Sequence, residues 1–180
     1  ETLQAAALYA DFIGRPDQSA AFLARIPVSQ RNAAVRELAD RVDVKNTVAR
    51  AQALHRSGNT VTAVSLLREA AGRPGVPFGA RSQIAQSLME MGDTYQAANL
   101  ALAAAREAIP PETRPGEAGG FLAVLGSAGQ DVAANNILQQ MAQRIRSPED
   151  QAAWRQSFAS YGEKRADMLR TSGDLAAAFD

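Results

Sequence analysis

The sequence contains no cysteine, a single histidine and only two lysines. Without thiols, disulfides and thiolate metal sites are excluded, and an oxidising compartment is compatible with the chain. The lone imidazole, His55, has no second histidine with which to make a metal pair. Aromatic residues make up 6% of the chain, and Val, Ile, Tyr and Thr never alternate over a run long enough for a half-buried strand. No apolar stretch approaches the roughly 20 residues of a membrane-spanning helix, and no basic-then-apolar signal segment is read at the start. Nineteen Lys and Arg balance nineteen Asp and Glu, so no net field draws the chain to nucleic acid or to an anionic membrane. Arginine supplies seventeen of those cations, with lysine only at Lys45 and Lys164. That excess is compositional, and partner choice must rest on local surfaces.

What the sequence does have is alanine, leucine and a recurring corner. The 180 residues suffice for four to five helical hairpins stacked in a row. In the recurring corner a helical run meets Gly and a polar residue, and a second run carries Ala four positions after the polar residue, with Gly14 followed instead by Arg15-Pro16. Gly58-Asn59 leads to Ala63 and Gly92-Asp93 leads to Ala97, the two glycines being 34 residues apart. That is the tetratricopeptide period. Glycine is expected to take the left-handed position that closes the first helix, and Asn or Asp to cap the next. Where the paired helices cross, small residues are needed, which predicts contact of Ala51 with Ala63 and of Ala85 with Ala97. Leu54, Leu67, Ile84, Leu88 and Leu100 should fill the space between hairpins.

Further corners fall at Gly14, Gly129 and Gly173, the last leading to Ala178. The expected fold is therefore an all-α, tetratricopeptide-like solenoid with extra inserted helices. One extra helix is expected after a cap at Ser29 or Asn32, with Val35, Leu38 and Val42 on one face. The other follows Ser147, with Pro148 at its first position and Glu149 and Asp150 in its first turn. Each insertion predicts a bend, near residues 28–46 and 147–161. The stretch "IPPETRPGEAGG" predicts a loop and a hinge at residues 110–120, and the glycine-flanked helix through Phe121 to Leu125 is expected to be the least stable element. Both ends read as cut inside helical patterns, so targeting signals and companion domains are expected outside the sequence.

Candidate binding residues follow from the repeat, because the first helix of each hairpin lines the concave groove at fixed distances before the corner glycine. Before Gly58 these are Lys45, Val48, Gln52, His55 and Arg56. Before Gly92 they are Gly79, Ser82, Gln86, Met89 and Glu90. Their amides, hydroxyls and charges suit a peptide or a sugar chain, and equally suit a solvated helix face. Trp154, Phe158 and Tyr161 form one stripe, which reads first as buried packing and second as a platform for saccharide stacking by Trp154 and Tyr161.

Catalysis finds no support. Glycoside hydrolysis needs two carboxylates across a cleft, whereas Glu107, Glu112, Glu117 and Asp131 read as helix tails and loops. The sequence around Ser127 is no nucleophile elbow, and no phosphate-cradling glycine loop precedes a helix. No cofactor, metal or enzymatic activity is expected.

The corners "SGN…A", "MGD…A" and "SGD…A", with "ALYADFIGRP", "RNAAVRELADR", "RSGNTVTAVSLLREA" and "SPEDQAAWRQSFASYGEKRADMLRTSGDLAAAFD", resemble the periplasmic tetratricopeptide-repeat region of the C-subunit family of bacterial cellulose synthase. The likeness covers nearly the whole chain. It implies a periplasmic scaffold preceding an outer-membrane β-barrel, whose partners are other protein subunits of the synthesis and export complex and, in one variant, the glucan chain itself. A general protein-binding tetratricopeptide adaptor and a direct glucan-binding module are the alternatives.

Overall fold

The computed structural model describes residues 2–174. Nine α-helices account for the regular structure there: α1 (Thr2–Phe12), α2 (Pro16–Ala24), α3 (Ala33–Arg56), α4 (Thr60–Ala71), α5 (Phe78–Glu90), α6 (Thr94–Arg106), α7 (Gly119–Ser127), α8 (Asp131–Ala142) and α9 (Pro148–Thr171). Short 3₁₀ turns precede α3 and α7. The helices divide into two compact units, residues 1–80 and 81–180. Ala178, expected beyond the last corner, lies outside the described residues.

All five corner glycines adopt positive φ, between 65° at Gly129 and 89° at Gly92. At each corner the residue after glycine donates its N–H to the carbonyl five positions earlier. Asn59 bonds Leu54, Asp93 bonds Leu88 and Gln130 bonds Leu125, at 2.8 to 2.9 Å. This is the Schellman closure that a left-handed glycine permits.

The polar residue after the glycine works differently from the expectation. Asn59 and Asp93 make no side-chain cap. With ψ near 60° they sit in a tight corner, not in the extended conformation that aims a capping side chain at the first turn. Their backbone carbonyls accept from Ala63 and Ala97 instead, each at 3.1 Å. The true side-chain caps are Asn32 and Ser147, whose ψ values are 177° and 162°. Asn32 accepts from Val35 at 2.9 Å and Ser147 from Asp150 at 3.1 Å.

The extra helical length is present, but it is fused to the helix that follows. Neither Gly nor Pro interrupts residues 33–56, so α3 runs 24 residues without a break. In the first unit its early turns pack Val35, Leu38 and Val42 against Ala7, Leu23 and Ile26. Its later turns pair with α4, and Ala51, Ala63 and Leu67 are completely buried. The Ser19 hydroxyl donates to the Ala7 carbonyl at 2.9 Å, joining α2 to α1. Arg31 donates to the Leu23 and Ile26 carbonyls, closing the end of α2.

The second unit is organised around α7. Propensity marks this glycine-flanked helix as weak, yet every residue from Gly120 to Gly126 is buried. Tertiary burial supplies what propensity lacks. Glycine creates the fit: a methyl on Gly120 would lie 2.2 Å from the Ser82 carbonyl oxygen of α5, and one on Gly126 would lie 2.7 Å from the Tyr161 carbonyl oxygen of α9. Gly116, Gly119 and Gly129 likewise face Ala153, Ser157 and Met168 along α9. The glycines that read as loop signals form a surface against which α9 lies.

The proline-rich stretch expected as a hinge is a loop up to Arg114 and is tied to α8. The Ile109 N–H donates to the Gln140 side-chain oxygen at 3.2 Å, and the Arg144 guanidinium donates to the Ile109 and Pro110 carbonyls. Any motion of this segment must first release those bonds.

Gly120→Ala should lower the stability of the second unit by about 3 kcal/mol, because its methyl meets backbone and not a flexible side chain. Gly162→Ala, mid-helix in α9 with open space around its added methyl, should gain about 1 kcal/mol from helix propensity. Paired thermal and urea unfolding curves compare the two. Equal effects would contradict the close-approach account.

Candidate functional site

In the first unit, two residues at groove-counted positions of successive hairpins meet. Asp11 stands three before Gly14 and Lys45 stands thirteen before Gly58. Lys45 Nζ reaches Asp11 Oδ1 at 2.6 Å, and Arg41 donates to Oδ2 through Nε and Nη2 at 3.2 and 3.1 Å. The Asp11 side chain is 10% exposed, so one shielded carboxylate anchors two cations that lie a helical turn apart on α3. Asp11 and Arg41 are absent from the sequence candidates. Extending the groove count to Gly14 finds Asp11.

Gln52 is half-buried and Arg56 exposed. His55 Nδ1 lies 2.9 Å from the Thr60 hydroxyl across its own corner. Gln86 donates to Glu90 along α5 at 2.9 Å, a surface pair. Ser82 is only 1% exposed, and its hydroxyl accepts the Phe121 N–H at 3.1 Å. It holds the start of α7 and presents nothing to a partner.

The aromatic stripe splits. Trp154 stacks on Phe158 with ring centroids 5.5 Å apart and planes 14° apart. The indole N–H is buried without an acceptor among the described residues, while Phe158 is 49% exposed. Tyr161 turns away and donates its hydroxyl to Asp131 Oδ1 at 2.7 Å. Arg165 Nη2 holds the other oxygen of Asp131 at 2.8 Å. Trp154 thus pairs with Phe158, and Tyr161 with Asp131.

The electrostatics of these groups follow from their partners. The Tyr161 hydrogen bond, with Arg165, holds the Asp131 carboxyl below its ordinary range. Burial and the adjacent Asp131 push the Tyr161 phenol up to about 12. Glu107 is lowered by its hydrogen bonds from Arg81, at 2.8 and 3.3 Å. Carboxylates held ionised in this way cannot deliver a proton near neutral pH. Among the described residues, no group of three or more His, Asp and Glu is placed to hold a metal ion, and no helix is long and apolar enough to cross a membrane.

The fold and these surfaces define the class: an all-α protein of helical hairpins closed by left-handed glycine corners. No protein-family model, curated protein or solved structure matches the chain.

Tyr161 is held protonated more strongly in the folded state than in the unfolded one. Its stabilising contribution is complete below about pH 10 and is lost as pH rises through about 12. Asp131 behaves oppositely, contributing above the usual carboxylate range and losing its contribution on acidification. Ultraviolet titration of the phenols should show one step near 12 that is missing in Tyr161→Phe and moves to lower pH in Asp131→Asn. If that step survives in Tyr161→Phe, the pairing is refuted.

Proposed function

We propose that the chain is a scaffold in a bacterial cellulose, or related exopolysaccharide, synthesis and export complex. It works in the periplasm between an inner-membrane synthase and an outer-membrane pore, as part of a longer protein anchored by an outer-membrane barrel. The observation that carries the scaffold reading is the repeated corner. Five left-handed glycines each close a helix, and among the described residues four of them turn into the second helix of a hairpin; repeated hairpins of this kind present surfaces to partners. The cellulose assignment rests on the resemblance of the quoted stretches to the C-subunit family of cellulose synthase.

Two of the carboxylates that could have served chemistry are engaged by neighbouring side chains. Asp131 is committed to Tyr161 and Arg165, and Glu107 to Arg81. This supports a non-enzymatic role. Direct glucan binding keeps one favourable observation, the half-exposed Phe158 ring stacked on Trp154, whereas the general adaptor reading shares the same hairpins and differs only in its partner.

In-frame deletion of residues 2–174 from the full-length protein should abolish polymer outside the cell while glucan synthesis continues in isolated inner-membrane vesicles. Undiminished secretion would refute the scaffold. Trp154 is the only tryptophan, so its fluorescence reports on the glucan alternative. Titration with cello-oligosaccharides should leave it unchanged, and a saturable shift would transfer the assignment to direct sugar binding.

A further inference from the structure

Large apolar side chains left exposed are mostly solitary in this protein: Val61 on α4, Tyr95 on α6, Val132 on α8 and Phe158 on α9. The end of α1 is different. Leu8, Tyr9, Phe12 and Ile13 are 46%, 65%, 87% and 45% exposed. Leu8 with Phe12 and Tyr9 with Ile13 are pairs four residues apart, so they stand as two adjacent columns on the helix and its closing turn. Ala7 and Ala10, at 0% and 2% exposure, face the other way into the hairpin. The ridge is therefore no consequence of poor packing.

At the next two corners, Gly58 and Gly92, the positions of Leu8 and Phe12 carry polar residues. Six before the glycine stand Gln52 and Gln86, and two before it stand Arg56 and Glu90, where the first hairpin has Leu8 and Phe12. Charge beside the ridge has one predominant sign. Asp11, next to Phe12 in sequence, is bound by both Arg41 and Lys45, and exposed Arg15 follows the corner without an ion pair among the described residues. Counting exposed Asp17, two residues after Arg15, three cations accompany two carboxylates. Residues 1–80 as a whole carry ten Lys and Arg against seven Asp and Glu.

We infer that this ridge and its neighbouring cations form a docking site for an acidic, amphipathic segment of a partner protein. The inference rests on the scaffold reading and specifies one of its surfaces. Apolar anchors spaced by three or four residues would seat on Leu8, Phe12 and Ile13, and flanking Asp or Glu would meet Arg15, Arg41 and Lys45. Phe12 is the expected energetic centre, being an aromatic ring with nearly all its surface available for burial. The cations set the approach and orientation and suppress basic segments. Leu8 and Ile13 are aliphatic and the cations form no continuous track, which favours protein over single-stranded nucleic acid.

The probe is a synthetic helix-forming peptide with leucine at every third or fourth position and glutamate on the flanking positions, labelled for fluorescence anisotropy. It should bind the full-length protein, weaken with salt, and bind about tenfold less tightly to Phe12→Ser, a change of roughly 1.4 kcal/mol. Arg15→Glu should weaken it severalfold, and the lysine-for-glutamate peptide should bind worse than the original. Circular dichroism should be unchanged in Phe12→Ser, since that ring buries almost nothing.

Equal affinity for the acidic and basic peptides, or no effect of Phe12→Ser, would overturn the inference. So would concentration-dependent association of the protein that Phe12→Ser removes, because the face would then belong to a second copy. Hydroxyl-radical footprinting that finds Phe12 shielded before any peptide is added would overturn it too, because another part of the same polypeptide would cover the ridge. Loss of secretion on deleting residues 2–174, with no peptide bound, removes the docking site and leaves the scaffold. Peptide binding with secretion intact removes the cellulose scaffold and leaves the site.

Discussion

Two helix backbones can come into van der Waals contact only where the side chains between them are methyls or nothing at all. That constraint shapes both units. In the first, Ala51 and Ala63 are completely buried across a hairpin, and Ala7 is close enough to α2 for its carbonyl to accept the Ser19 hydroxyl. In the second, Gly120 lets α7 sit against the Ser82 backbone, and Gly126 lets it sit against Tyr161. Dispersion and area burial are large at such close approach, which is how α7, nine residues long and poor in helix formers, becomes the most enclosed element of its unit.

Close packing also explains where the polar groups are spent. Once backbones touch, the few polar atoms trapped between them must pair locally, since an unmatched buried donor costs on the order of 1–3 kcal/mol. Ser82 meets the Phe121 N–H, Arg31 meets the carbonyls at the end of α2, and Arg144 meets the loop after α6. These side chains stitch elements together, and their chemistry is unavailable for catalysis. The surfaces left over include mixed polar faces, scattered apolar side chains, and the apolar ridge at the end of α1.

The corners show why some of the fold could be read directly. A left-handed glycine is a local requirement of the closing helix and depends on nothing far away. All five glycines singled out by the repeat are found in that conformation, Ser147 caps as expected, and Asn32 is the one of the two expected candidates that caps α3. The corner polar residue departs from expectation because its side-chain role depends on ψ. That angle is fixed by the tightness of the turn and not by residue type, so Arg15 and Gln130 occupy the place of Asn59 equally well.

Sequence alone therefore determined the helical class, the corner positions, the Ser147 cap and the burial of the small residues at the crossings, all of which arise from interactions within about one hairpin. Tertiary structure decided which glycines are surface and which are loop, that Ser82 is internal, that Tyr161 answers to Asp131, and that Lys45 answers to Asp11. Residues about 30 or more apart, such as Asp11 and Lys45, acquire their meaning only when separate helices bring them together. Burial and electrostatic pairing are properties of that assembled neighbourhood, and no local pattern carries them.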